Sequence, residues 1–432
     1  MKKIISQSEI LKALPKGEFA CIKNPEGIFP EFEYAPLAKK KKYLNDIYTV
    51  VCDMDGTTTT TENLCIHSLE YMIRKISDRM ELSAWAGLDQ KLDYPHIIGN
   101  STTRHVEYLI DAYRFTISDS AINMSFIKAA IWFFRYGKDP QRIEEVKTSC
   151  RIVGCEGLMA QLDLSDEELL LIYKSKCKIE TKSKIVRASI DIYYQRYHEI
   201  LMAIDKNEAI PMIDLIHGID VDNLIEPMPG VAIFISLVKG WLNKEELQLL
   251  MPDLKKSYLQ KSGSEIKGNM DLTSLADYFS LDPVKLALVT SSIYYEADIV
   301  IQQVFNVVQK EIAGWPLTND KKQILISYFR DYHKIYDAFV TANDSHEIRL
   351  KPHRDLYSIA LNTLHVPLED MDKVIGLEDS ESGSIAIRAA GISCVIALPF
   401  AETSGHDLSA ASHIVQGGLP EVLLKHHCFM KK

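Results

Sequence analysis

The stretch from Tyr48 to Thr58, Tyr-Thr-Val-Val-Cys-Asp-Met-Asp-Gly-Thr-Thr, constrains this chain more than any other. Tyr48, Val50 and Val51 begin an apolar, β-branched run that suits a buried strand. The run stops at Asp53 and Asp55, with Gly56 and Thr57 behind them. In an open α/β sheet, ligands bind beyond the carboxyl ends of the strands. Two carboxylates at that edge, beside a glycine that lets the backbone turn closely, suit a cation and a phosphate. A strand ending in a polar turn is common by itself, so this reading needs partners elsewhere in the chain.

The rest of the chain sets the frame. Its 432 residues suggest two or three domains. A composition of 47% apolar and 25% charged residues is ordinary for a globular protein. The net charge of −10 and the lack of a long basic block argue against a nucleic-acid partner. The eight cysteines show no Cys-x-x-Cys spacing, which argues against a zinc site or a disulfide framework and for a reducing, cytoplasmic location. The longest apolar runs, such as Ala129–Phe134 and Val231–Val238, are far too short to span a membrane.

Taken in order, residues 1–46 form an extension, with a mixed segment from Gly17 to Pro36 and a basic run, Lys39 to Lys42, expected to be solvated. Residues 63–226 are helix-rich. Leu69, Met72, Ile73, Ile76 and Met80 sit at helical spacing, as do Val106, Leu109, Ile110 and Tyr113. Ser165 and Glu168 form a capping box. Val186, Ile190, Tyr193, Tyr197, Leu201 and Ile204 trace an amphipathic stripe whose aromatics are expected in the core. A Pro and Gly cluster at Glu226–Val231 opens the next helix. The segment 241–284 reads as an insertion, with Asn243 capping one helix, a polar loop at Lys261–Lys267 and a second short helix. Apolar runs then end in polar clusters at Thr290–Ser292 and Glu378-Asp379-Ser380, and Lys351 lies in the loop after the run Ala338–Val340. Strands and helices alternate to the end, as in a parallel α/β sheet.

Four polar clusters thus stand at predicted strand ends or in the loops after them: Asp53/Asp55, Thr290, Lys351 and Glu378/Asp379. In order and type they resemble the four signatures of the haloacid dehalogenase (HAD) superfamily. Asp-x-Asp-Gly-Thr, Lys351-Pro352, and Glu-Asp-Ser-x-x-Gly leading to Ala389-Ala390-Gly391 carry the resemblance, over about 47–62 and 226–432. It implies a Rossmann-like parallel-sheet core, 47–62 and 227–432, with an enlarged all-α C1 cap at 63–226. It also implies hydrolysis of a small phosphorylated metabolite through an aspartyl-phosphate. Asp53 would attack phosphorus, and Asp55 would serve as general acid and base. Thr290, Ser291 and Lys351 would hold the phosphoryl group, helped by backbone N–H groups near Met54 and Ser291. Mg2+ would bind Asp53, the Asp55 main-chain carbonyl and Asp379, with Glu378 beside it. The second aspartate points to phosphatases and phosphomutases rather than dehalogenases.

The chain departs from the pattern in places. Thr60 replaces the aspartate usual in the loop after the first motif, and Arg354 replaces a proline after Lys351. The cap loop Ile97-Ile98-Gly99-Asn100-Ser101-Thr102 has Thr102 where β-phosphoglucomutase-like proteins carry arginine, with Arg104 nearby. Two other readings stay open: a phosphomutase, and a phosphate-sensing scaffold. His67, Cys150 and Cys155, and the tail His426-His427-Cys428, are expected to carry no chemistry.

Overall fold

The computed structural model describes residues 6–14, 16–24, 28–81, 83–97, 102–206, 208, 225–266, 272–400, 403 and 405–426. Among these lie eight strands: β1 (Phe19–Lys23), β2 (Phe32–Pro36), β3 (Thr49–Asp53), β4 (Lys285–Val289), β5 (Ala338–Val340), β6 (Val374–Glu378), β7 (Cys394–Ala397) and β8 (His413–Ile414). β3 to β8 form one sheet in the order β5-β4-β3-β6-β7-β8, every neighbouring pair parallel. This is the Rossmann-like α/β class read from the alternation of strands and helices.

The burial pattern explains why these short runs make strands. β3 and β6 are buried at every position. Successive side chains on a strand point to opposite faces. Val50, Cys52, Leu286, Leu288, Ile375 and Leu377 accordingly join one apolar cluster, while Val51, Ala287, Val289 and Val374 join another. Helices Val231–Val238 and Tyr294–Ala313 contribute to the first face, helices Asp355–Thr363 and Glu381–Ala389 to the second. Each fully buried Val, Leu or Ile contributes roughly 1.5–3 kcal/mol.

The strand order also fixes where a ligand can sit. From β3 the chain steps to β4 and β5 on one side, then crosses to β6, β7 and β8 on the other. The reversal falls between β3 and β6, and such a switch point opens a crevice beyond the strand ends. Asp53 ends β3 and Glu378 ends β6, so the crevice has a carboxylate on each flank.

Between β3 and β4 lies a helical layer built around Lys182–Asp205, which packs on Glu62–Ser77, Thr102–Ala112 and Asp119–Tyr136. The capping box at Ser165 forms as read, as does that at Asn243. Met80 does not extend the first stripe. Asp78 adopts a left-handed backbone (φ 56) and ends the helix, leaving Met80 exposed. Residues 98–101 and 209–224, hence most of the cap loop and the end of the 63–226 segment, lie outside the described residues, as do His427 and Cys428.

The segment read as an insertion forms helices Lys244–Ser262 and Thr273–Leu281, packed together. The first helix runs through Ser262, so the polar loop starts later than its composition suggested. The extension is more ordered than its sequence indicated: β1 and β2 pair as an antiparallel hairpin. The basic run after it is tethered rather than merely solvated, with Lys40 Nζ on the Ser409 carbonyl (2.6 Å) and Lys41 Nζ on Asp372 (2.7 Å). Among the described residues no helix is long and apolar enough to cross a membrane.

Candidate active site

The turn after β3 is held by its own threonines. Thr58 Oγ1 donates to the Asp53 carbonyl (2.7 Å), and Thr59 Oγ1 to the Met54 carbonyl (3.2 Å). Gly56 is required on two counts. Its φ is +80°, and a Cβ there would lie 2.7 Å from Asp379 Cγ. The glycine therefore lets the first carboxylate loop close on the fourth polar cluster.

That closure brings together residues far apart in sequence. One oxygen each of Asp53, Glu378 and Asp379 lies within 4.8 Å of the others, and all three side chains are buried. Lys351 Nζ donates to Asp53 Oδ1 and, at 3.0 Å, to Glu378 Oε2. Glu378 also accepts from Tyr357 OH (2.6 Å) and Ser380 Oγ (2.6 Å). Gly383 leaves room for it, since a Cβ at that position would fall 2.0 Å from Glu378 Cδ. Thr57 Oγ1 reaches Asp379 at 3.4 Å.

Burial shapes the charges. It pushes Asp53 well above the usual carboxylate range; Glu378 adds to the shift and Lys351 opposes it. Asp379 is pushed up by burial, then by Glu378 and Asp53. Burial pulls the Lys351 ammonium down, but Asp53 and Glu378 outweigh it, so the lysine holds its proton more tightly than usual. One cation thus faces several buried anions, an arrangement that a divalent metal would balance.

Asp55 stands apart from that group. Its Oδ1 accepts from Thr61 Oγ1 (2.5 Å), and its Oδ2 accepts from Thr290 Oγ1 (2.8 Å) and Ser292 Oγ (3.4 Å). Thr290, expected to hold the phosphoryl group, thus also contacts Asp55. The Thr290 hydroxyl orients Asp55, and the Met54 N–H donates to the Val289 carbonyl at 3.2 Å, continuing the β3–β4 pairing. Ser291 is exposed and lines the cavity.

The cavity over these groups is about 620 Å³. Its floor is the cluster just described; its wall comes from the helical layer. Arg142, Glu145, Tyr193, Tyr194 and Tyr197 line that wall. Arg142 pairs with Glu145 (2.5 Å) and lies 3.6 Å over the Tyr194 ring. Tyr194 OH donates to Thr102 (3.1 Å). Buried His198 meets Glu296 (2.8 Å), joining the layer to the helix after β4. Sequence reading missed Arg142, Glu145 and the half-buried Tyr194, and placed Tyr193 and Tyr197 in the core alone; these two are buried and also line the cavity. Arg354 is exposed and outside the lining, Arg104 is exposed and bonds the Lys23 carbonyl, and His67 accepts from Arg196 (3.3 Å).

Sheet and pocket together define an α/β protein with a carboxylate- and lysine-lined cavity at its switch point. No family model and no curated protein matches the chain. Solved structures are similar to it at low identity. CbbY from Rhodobacter sphaeroides, in complex with phosphate, is 14% identical over 87% of this chain and 96% of that one, with a TM-score of 0.39. A HAD family hydrolase from Deinococcus radiodurans R1, with bound phosphate and sodium, is 12% identical over 89% and 99%, with a TM-score of 0.39. A β-phosphoglucomutase from Clostridium difficile is 14% identical over 86% and 92%, with a TM-score of 0.32.

Proposed function

We propose that the chain is a HAD-type phosphatase that hydrolyses a small phosphate monoester with Mg2+ bound. The observation that carries this reading is the meeting of Asp53, Lys351, Glu378 and Asp379 at one sheet edge, with Asp55 held separately beside them. A phosphate monoester resists attack because its negative oxygens repel a nucleophile. An in-line carboxylate with cations around those oxygens removes the obstacle.

Asp53 attacks phosphorus, and the bond from phosphorus to the alcohol oxygen breaks as Asp55 gives that oxygen a proton. Asp55 then takes a proton from water, which attacks phosphorus and frees the Asp53 carboxylate and inorganic phosphate. Both states of Asp55 find partners. As a carboxylate it accepts from Thr61 and Thr290. When protonated it can donate to Thr61 Oγ1, whose own hydrogen then turns to Thr59 Oγ1, 3.5 Å away. Lys351 supplies positive charge to the phosphoryl oxygens, while Glu378, itself held by the Tyr357 hydroxyl, keeps the lysine in line.

The donor set suits a hard divalent cation: all oxygen, buried, and short of positive charge. Asp53 and Asp379 would hold Mg2+, with Glu378 adjacent and the Asp55 main-chain carbonyl added by the resemblance. When bound, the ion neutralises phosphoryl oxygens that would otherwise repel Asp53. The helical layer acts as a C1-type cap, excluding water and selecting the alcohol. The cavity size suits a small metabolite.

The test is phosphate release from a panel of sugar, nucleotide and small-acid phosphates, with and without Mg2+, beside Asp53→Asn. Metal-dependent release that disappears in the variant is expected. Isomerised product with acceleration by a bisphosphate would instead make the protein a mutase. Phosphate binding without turnover would make it a sensor.

A further inference from the structure

The N-terminal hairpin lies outside the chemistry above, yet its contacts converge on the loop that carries Lys351. Glu33 stands on β2. Its Oε2 accepts from Arg349 Nη1 at 2.7 Å and lies 3.9 Å from His353 Nδ1. Its Oε1 accepts from Asn24 Nδ2 at 3.0 Å, and the same amide donates to the Pro30 carbonyl at 2.7 Å. Arg349 extends the chain of contacts, donating Nη2 to Asp355 Oδ2 at 2.9 Å. Arg349, His353 and Asp355 bracket Lys351 in sequence, so one hairpin carboxylate is linked to both sides of the lysine.

The hairpin is itself fixed. At its base, Arg388 donates to the Ala38 carbonyl and to Glu18, each at 2.6 Å, from the helix after β6. Five residue pairs hold its two strands in register. From the helical layer, Arg104 donates to the Lys23 carbonyl at 3.1 Å. The hairpin therefore touches three elements that line the cavity elsewhere along their length: the helix beyond Glu378 through Ser382, the loop of Lys351, and the helix that carries Thr102.

We propose that β1–β2 is a strut and Glu33 a positioning residue, holding loop 349–355 so that the Lys351 ammonium stays between Asp53 and Glu378. This inference rests on the proposed phosphatase reading of that site. The physical reason for such a strut is specific to lysine. Its ammonium is a point charge on a flexible four-carbon stem, so its placement depends on where the backbone is held. The Glu33–Arg349 pair is about one-third exposed on each side and contributes little to global stability. A displacement of about 1 Å at a reacting group, by contrast, costs up to about 10²-fold in rate. A strut should therefore affect turnover far more than melting.

The test uses the full-length chain with Glu33→Ala, Glu33→Gln, Arg349→Met and the Glu33→Ala/Arg349→Met double variant. Hydrogen exchange is followed over 349–355 and over β6, and kcat and KM are measured on whichever ester the unaltered protein turns over. In Glu33→Ala we expect faster exchange over 349–355, unchanged exchange over β6, and kcat about tenfold lower with KM within about twofold. Glu33→Gln, which keeps an acceptor, should recover part of kcat, and the double variant should be no worse than the worse single one. Unchanged exchange and kcat in Glu33→Ala would overturn the proposal. So would loosening that spreads to β6, which would make the hairpin a general stabiliser. If the unaltered protein turns over no ester, the phosphatase reading fails, and the exchange measurement alone still decides the strut.

Discussion

The floor and the wall of the cavity are built on opposite principles. On the floor, Asp53, Lys351 and Glu378 are each placed by a strand end or the loop beyond it, and each is locked by named partners. On the wall, Arg142 comes from helix Pro140–Val153, the tyrosines from Lys182–Asp205 and Thr102 from Thr102–Ala112. The floor turns on one cation: Lys351 is shared by Asp53 and Glu378, so removing it leaves two buried carboxylates without their ion-pair partner. The wall combines one ion pair, aromatic faces and hydroxyls, which suit recognition of a polar substrate body rather than bond breaking. On the proposed function, the contrast assigns bond breaking to the sheet edge and the choice of substrate to the packing of helices.

That comparison can be broken by removing one group at a time. Asp53→Asn should lower turnover by at least about 10³-fold, while the cavity wall is unchanged. Lys351→Met comes next. It leaves Asp53 and Glu378 without their shared cation, so the metal-free protein should lose about 3–5 kcal/mol by denaturant titration. Mg2+ should restore part of that loss, because it supplies positive charge to the same oxygens. Equal losses with and without the metal would separate the lysine from the metal site.

Arg142→Met probes the wall. It should reorder the substrates by about 1–3 kcal/mol in relative kcat/KM, yet leave Mg2+ binding as it was. A uniform loss across all substrates would erase the distinction between floor and wall.

The smallest expected effects are on pH dependence. Asp53 and Asp379 have folded pKa values raised by burial, so the folded state keeps their protons longer than the unfolded one. Their contribution to stability is present below the ordinary carboxylate range and is lost as pH rises through the raised values. Metal-free melting temperature should thus decline above that range, and Mg2+ should flatten the decline. On the wall side, burial pushes Asp191 up to about 6. Asp191→Asn should remove a slope between about pH 4 and pH 6 that Mg2+ does not affect.

Asp53, Glu378 and Asp379 were legible in the sequence because each stands where a short apolar run changes to polar residues, whereas Lys351, in a loop well past Val340, was picked out only by its place in the order of the resemblance. The same local logic made the capping boxes at Ser165 and Asn243 readable. Arg142 was not legible. It sits in the first turn of an ordinary amphipathic helix, and only packing against Tyr194 turns it toward the cavity. Tyr193 and Tyr197 follow a core stripe by period, and periodicity cannot say that the face they share also borders a cavity. The Thr290 hydroxyl was assigned to a phosphoryl group by resemblance, and residue types alone did not show that it also reaches Asp55, nor that the Met54 N–H continues the strand pairing to Val289. The hairpin escaped notice because β1 and β2 are short and because β2 exposes Phe32 and Tyr34 while Glu33 is half-buried, the reverse of the usual apolar-inward alternation.

The most direct test of the central claim is to mix the protein with an ester it turns over in the presence of Mg2+, quench in acid, and weigh the peptide that contains Asp53. We predict that this peptide gains the mass of one phosphoryl group, and that the gain is absent in Asp53→Asn. Rapid phosphate release with no covalent gain on Asp53 at any quench time would contradict the account, because water would then be attacking phosphorus directly.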